Sequence, residues 1–266
     1  MEKKKKEKKG RKFKLPKRKQ PVFNFFKKIF FGPIYRAKVE SEIKVLPDKA
    51  VIASIHSAKS GPMSIAVSYP KFCAIWGHGA MLGSYRDRFK YLRNVLYIQK
   101  MHKNKFVATF KALYEAVFSI WVYKGMKMVG TYTDMRMLTT IKNSVEILDD
   151  NASIVIFPED SSKGYFEKIQ SAYSGFVVLA SQYYKKRGED VPVLPMYVSP
   201  KAKRLIVGKP RYVHELELAG HSKEQIAEIF KNDVNELYDK YIATGEEVKE
   251  CVDDAPVRDR AYYGEN

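Results

Sequence analysis

Two hydrophobic periods share this chain. Short runs in which almost every position is apolar occur at 50–55 (AVIASI), 72–77, 153–157 (SIVIF) and 191–198, with KRLIV at 203–207 and a further run at 126–132. Runs of that length and density read as strands covered on both faces. Residues 35–46 alternate apolar and polar, as a half-buried strand does. Between them the period changes to that of a helix, at about 62–69, 80–93, 103–123, 134–149, 171–187 and 222–243. The 222–243 segment puts Ile226, Ile229, Phe230, Val234, Leu237 and Tyr241 on one face. Thr133 or Asp134 suits the N-cap of the 134–149 helix. Alternating strands and helices predict a single α/β domain over 35–244, with a mainly parallel mixed sheet flanked by helices. No internal repeat is visible.

Ahead of that body lies PVFNFFKKIFFGPIYR. Pro21 suits a first helical position and Gly32-Pro33 a stop, which predicts an N-terminal amphipathic helix within 21–34. Phe23, Phe26, Ile29 and Phe30 would share a face, with Lys27 and Lys28 opposite. A window of 18 uninterrupted apolar residues is absent, so no membrane span is expected. The nearest approach, Phe106–Val129, is broken by Lys111, Glu115, Lys124 and Lys127.

Charge sharpens the picture at the N-terminus. Of a net +18, residues 1–20 supply +10, from 12 Lys/Arg and 2 Glu. Such a stretch reads as a disordered polybasic arm, and beside a Phe-rich helix it suits an anionic lipid surface. Residues 245–266 hold 7 acidic and 3 basic side chains and read as a flexible acidic tail. The two cysteines, Cys73 and Cys251, have neither metal-ligand nor disulfide-framework spacing. The N-terminus lacks the apolar core of a secretory signal. No nucleic-acid-binding module is apparent, and no Gly-x-Ser-x-Gly elbow suggests a serine hydrolase.

In open parallel sheets ligands gather beyond the carboxyl ends of the strands, so the residues that follow each strand carry the candidate chemistry. After the first buried strand comes His56-Ser-Ala-Lys-Ser-Gly-Pro. After 126–132 comes Gly130-Thr-Tyr-Thr-Asp-Met-Arg136. After SIVIF comes Pro158-Glu159-Asp160-Ser161-Ser162-Lys163, and the last buried strand holds Pro195. An imidazole, carboxylates, hydroxyls and cations on one edge suit general-base activation of a hydroxyl beside an anion pocket.

Taken in order, these four blocks resemble the glycerolipid acyltransferase family, whose members acylate lysophosphatidic acid and related lipids. The resemblance covers roughly residues 35–215. It implies a glycerol-phosphate acyltransferase-like fold and an enzyme of the 1-acylglycerol-3-phosphate O-acyltransferase type. His56 would be the general base, aided by Glu159 and Asp160. Gly130, Arg136, Ser161, Ser162 and Lys163 would bind the phosphate-bearing acceptor. It implies no bound cofactor and no metal; acyl-coenzyme A or acyl-acyl carrier protein serves as co-substrate. The expected partners are a membrane lipid surface, a lysophospholipid acceptor and acyl carrier protein, with no nucleic acid. The expected location is peripheral, on the cytoplasmic face of the cell membrane. Two positions depart from the family pattern. Gly61 stands where the family has the Asp of its first block, five residues after the His, and Ser162 stands where its third block has Arg. A relative that binds lipid with weak or no turnover is the alternative these departures raise.

Overall fold

The computed structural model describes residues 13–248. Among these residues are eight strands: β1 (Lys38–Ser41), β2 (Val51–Ser54), β3 (Cys73–His78), β4 (Met128–Thr131), β5 (Ser153–Ile156), β6 (Pro192–Ser199), β7 (Arg204–Val207) and β8 (Arg211–Tyr212). They form one sheet in the order β1-β7-β6-β2-β5-β3-β4, with β8 also on β6. The central ladders β6-β2-β5-β3-β4 are parallel, as is β1-β7; β7 and β8 run antiparallel to β6. Every residue of β2, β5 and β6 is buried. That explains their unbroken apolar runs: Ile52 enters the core on one face of the sheet, Val51 and Ala53 the core on the other. Pro195, which has no N–H to give, falls in the gap between the β8 and β7 ladders of β6.

The helices are α1 (Pro21–Phe26), α2 (Gly32–Tyr35), α3 (Ser60–Ser68), α4 (Tyr85–Lys90), α5 (Lys105–Gly125), α6 (Arg136–Asp149), α7 (Gly175–Arg187), α8 (Val213–Leu218) and α9 (Lys223–Leu237). A capping box between Ser222 and Gln225 starts α9, and Gly188 in the left-handed region ends α7. The helix expected over 80–93 is split. Gly79–Leu82 forms a 3-10 turn, a Ser84/Asp87 capping box restarts the chain as α4, and Tyr91–Lys100 continues it with π winding. The helix expected from 171 begins only at 175. Residues before it pair back on the exit of β5 instead, through Asp160 N–H to Ser171 O and Tyr173 N–H to Pro158 O. The N-cap expected at Thr133 or Asp134 falls on Met135, which makes no side-chain cap bond; Asp134, one residue earlier, accepts the Arg136 N–H. The strand expected over 35–46 is confined to β1, on the sheet edge.

The N-terminal segment also differs in detail from its pattern. Residues 13–20 lie against the body: Arg18 bonds Asp150 and stacks over Phe72. Phe23 points inward onto Gly125, where a Cβ would lie 2.1 Å from its ring. Phe25, Phe26, Ile29 and Phe30 remain exposed, and Lys27–Phe31 is π-wound. Residues 1–12 of the arm and 249–266 of the tail, including Cys251, lie outside the described residues. Helix α5 is long and apolar enough to cross a membrane by length and composition. Lys124 falls in its last turn and Lys127 beyond its end, which leaves the helix interior with only Lys111 and Glu115.

Candidate functional site

β2 and β5 are adjacent parallel strands, so their carboxyl ends emerge side by side. The loop after β2 carries His56; the turn after β5 carries Pro158-Glu159-Asp160. The antiparallel pairing of Glu159 with Ala172 fixes that turn. Glu159 Oε2 then accepts the His56 backbone N–H at 3.1 Å. The His56 ring sits between Phe157, 4.6 Å away between centroids, and Tyr165, stacked at 5.2 Å. His56 Nδ1 and Glu159 Oε1 are both closed to solvent and have no hydrogen-bond partner among the described residues.

Burial governs the charges here. It pushes the His56 pKa down to about 4, with the Lys100 ammonium adding to the effect and backbone contacts at Ala58 and His56 opposing it. The imidazole is therefore a neutral free base at neutral pH. Burial pushes the Glu159 carboxyl up to about 7, against the His56 N–H and Lys100, which both favour its anion. Lys100, at the end of the π-wound segment, is the cation of this site. Its Nζ donates to Ser161 Oγ at 2.6 Å and lies 5.7 Å from the Tyr165 ring centre. Burial lowers its own pKa, opposed by Glu159 and Asp160. Neither Lys100 nor Tyr165 is singled out by the sequence: Lys100 comes from a helical segment with no strand-exit signal, and Tyr165 lies just past Lys163 in the loop after β5.

Five other candidates sit differently. Asp160 accepts the Ser162 N–H at 2.9 Å, an Asx turn that holds its carboxyl below the usual range. Ser162 and Lys163 are exposed. Gly130 lies in β4 and Arg136 starts α6 just after it; β4 is three strands from β2, roughly 14 Å across the sheet at about 4.8 Å per strand. Arg136 is exposed, chelates Asp134 through two nitrogens and stacks over Tyr132. A cleft of about 610 Å³ does open at that edge. Gly130, Arg136, Lys14, Lys17, Lys124 and Lys127 line it with no acidic side chain, but neither His56 nor the Pro-Glu turn reaches it. The predicted single edge is thus two places: a closed site on β2/β5 where Glu159 holds the His56 backbone, and an open cationic cleft beside β4.

The loop holding His56 explains Gly61. Ser57 and Ala58 both have positive φ, at 44° and 53°. Ser57 Oγ donates to Val198 O at 2.9 Å, and the Gly61 N–H donates to Ser57 O. This tight reversal brings position 61 against the His56 carbonyl, where a Cβ would lie 2.0 Å from the oxygen. No side chain fits there, so an Asp at 61 is excluded by the same loop that presents His56.

No family model, no curated protein and no solved structure matches the chain. Among the described residues, no group of three or more His, Cys, Asp or Glu side chains could hold a metal ion. The remaining charge near His56 is Lys59. Its ammonium is engaged elsewhere. It bonds Glu115 of α5 and the Tyr97 hydroxyl, and lies 4.3 Å from the Tyr97 ring centre. The field His56 feels comes from Lys100 instead.

Proposed function

We propose that the chain is an acyltransferase that moves a fatty acyl group from a thioester to the hydroxyl of a lysophospholipid or glycerol phosphate. The fold would then be glycerol-phosphate acyltransferase-like, with the 21–34 segment as its amphipathic N-terminal element. The observation that carries the reading is the meeting of His56 with Glu159 at the carboxyl ends of adjacent strands, the imidazole neutral and its Nδ1 unpartnered. A neutral imidazole can take a proton from an acceptor hydroxyl. The oxygen attacks the thioester carbonyl carbon, the carbon–sulfur bond breaks, and the thiolate takes the proton back from His56. Lys100, held by Ser161, supplies positive charge beside the imidazole for a phosphate or a developing oxyanion. The cationic cleft with Gly130 and Arg136 serves the more distant anionic part of a substrate. Acyl-coenzyme A or acyl-acyl carrier protein is the donor. The chain works peripherally, on the cytoplasmic face of a membrane, with no nucleic-acid partner.

A second reading is a lipid-binding relative with weak or no turnover. The closed loop at Gly61 favours it, because no carboxylate fits where the family's first-block Asp would orient the ring. Incubation of the full chain with lysophosphatidic acid and acyl-coenzyme A, or acyl-acyl carrier protein, separates the two. Product from the wild type but not from His56→Ala supports the enzyme. Absence of product from both, with lipid binding retained, favours the second reading.

A further inference from the structure

Helix α5 has two unlike faces. Inward it presents small residues, Ala108, Ala112, Ala116 and Ser119, which let it lie close on the Tyr91–Lys100 segment. Outward it presents Phe106, Phe110, Tyr114, Val117, Phe118 and Trp121 at helical spacing, with Phe106 and Tyr114 exposed by 73% and 71%. The stripe continues onto the N-terminal segment, where Phe26 meets Trp121 edge-on at 5.2 Å and stacks on Phe30. An apolar surface of that extent is not an ordinary solvated face.

Its charges are one-sided. Lys28, Lys105, Lys111 and Lys124 are exposed around it. The one acid of α5, Glu115, is turned inward onto Lys59. The residues that precede α1 carry the +10 segment. Aromatic side chains rimmed by lysines complement an anionic bilayer surface: rings enter the headgroup boundary, and ammonium groups meet phosphates. The inward alanine face and the Lys59–Glu115 pair hold α5 along the body, so it lies in the plane of the bilayer and does not cross it.

We propose that the outward face of α5, joined to Phe25, Phe26 and Phe30, is where this chain docks on an anionic lipid surface. The proposal deepens the membrane part of the functional reading and needs no acyl transfer. Docking would set the helix that is tied to Lys59, three residues from His56, directly on the lipid.

The test uses the full chain with vesicles of phosphatidylcholine and phosphatidylglycerol in equal parts, without acyl donor or acceptor. The chain has two tryptophans, and Trp76 is buried, so Trp121 reports the stripe. Wild type should sediment with the vesicles, with a blue-shifted emission that Trp121→Phe abolishes. Phe110→Ser/Phe118→Ser should bind at least about tenfold more weakly, while its unfolding transition stays in place. Leu218→Ser, an exposed apolar change on α8, should bind like the wild type. Unchanged vesicle affinity of the double variant overturns the proposal. So does a stripe variant that changes only the sedimentation coefficient of the free protein, because a second copy would then own the face. His56→Ala should dock normally, so loss of catalysis and loss of docking remain separate results.

Discussion

His56 and Glu159 make opposite contributions to stability as pH changes. The Glu159 carboxyl is raised to about 7 in the folded chain from an ordinary 4.5. Its share of stability is full below 4.5 and is lost as pH rises through 7, because the native state must then bury an anion. His56 is lowered to about 4 from an ordinary 6.5. Its share is full above 6.5 and is lost as pH falls through 4, since the unfolded imidazole takes a proton that the buried one refuses. At about 1.4 kcal/mol per pH unit of displacement, each effect is on the order of 3 kcal/mol. The windows nearly coincide, so in the wild type the two largely cancel. Glu159→Gln removes one side. It should gain on the wild type by about 3 kcal/mol between pH 4 and pH 8, while losing any activity that needs the carboxylate. His56→Asn should gain a similar amount in the other direction, as pH falls from 7 to 4. Urea unfolding at a series of pH values, followed by circular dichroism, measures both. Two variants whose stability runs parallel to the wild type at every pH would refute the buried-pair reasoning.

Three further outcomes follow from the same geometry. Gly61→Ala and Gly61→Asp should each destabilise the fold by about 2 kcal/mol or more, read from the urea midpoint, because a Cβ there meets the His56 carbonyl backbone; an Asp that was tolerated and raised activity would show that the loop can open. Lys100→Met should raise the His56 pKa, followed by NMR titration of the ring, and raise that of Glu159 too, since the ammonium acts against the imidazolium and for the carboxylate. Glu115→Gln leaves the half-buried Lys59 without its carboxylate and should cost roughly 1–3 kcal/mol in urea unfolding, with Lys59→Met/Glu115→Leu recovering much of it.

The strand-forming runs could be read directly because burial on both faces writes itself into the sequence as unbroken apolar stretches; SIVIF and the 191–198 run needed no long-range information. From that, the parallel sheet and the strand-exit positions of His56 and Glu159 followed. What a linear pattern does not encode is strand order. β4 lies at the far edge, so Gly130 and Arg136, read as neighbours of His56, stand over a separate cleft, and Arg136 spends its guanidinium on Asp134. Lys100 and Tyr165 enter the site because a π-wound segment and a loop pinned by Glu159–Ala172 pairing happen to meet there. The exposed stripe of α5 has the same origin: only the packing of its alanine face shows that most of its aromatic face is left exposed. Local sequence sets which backbone a segment prefers and how much apolar surface it must hide. Which surfaces meet depends on contacts between residues far apart in the chain, and those exist only once the sheet has closed.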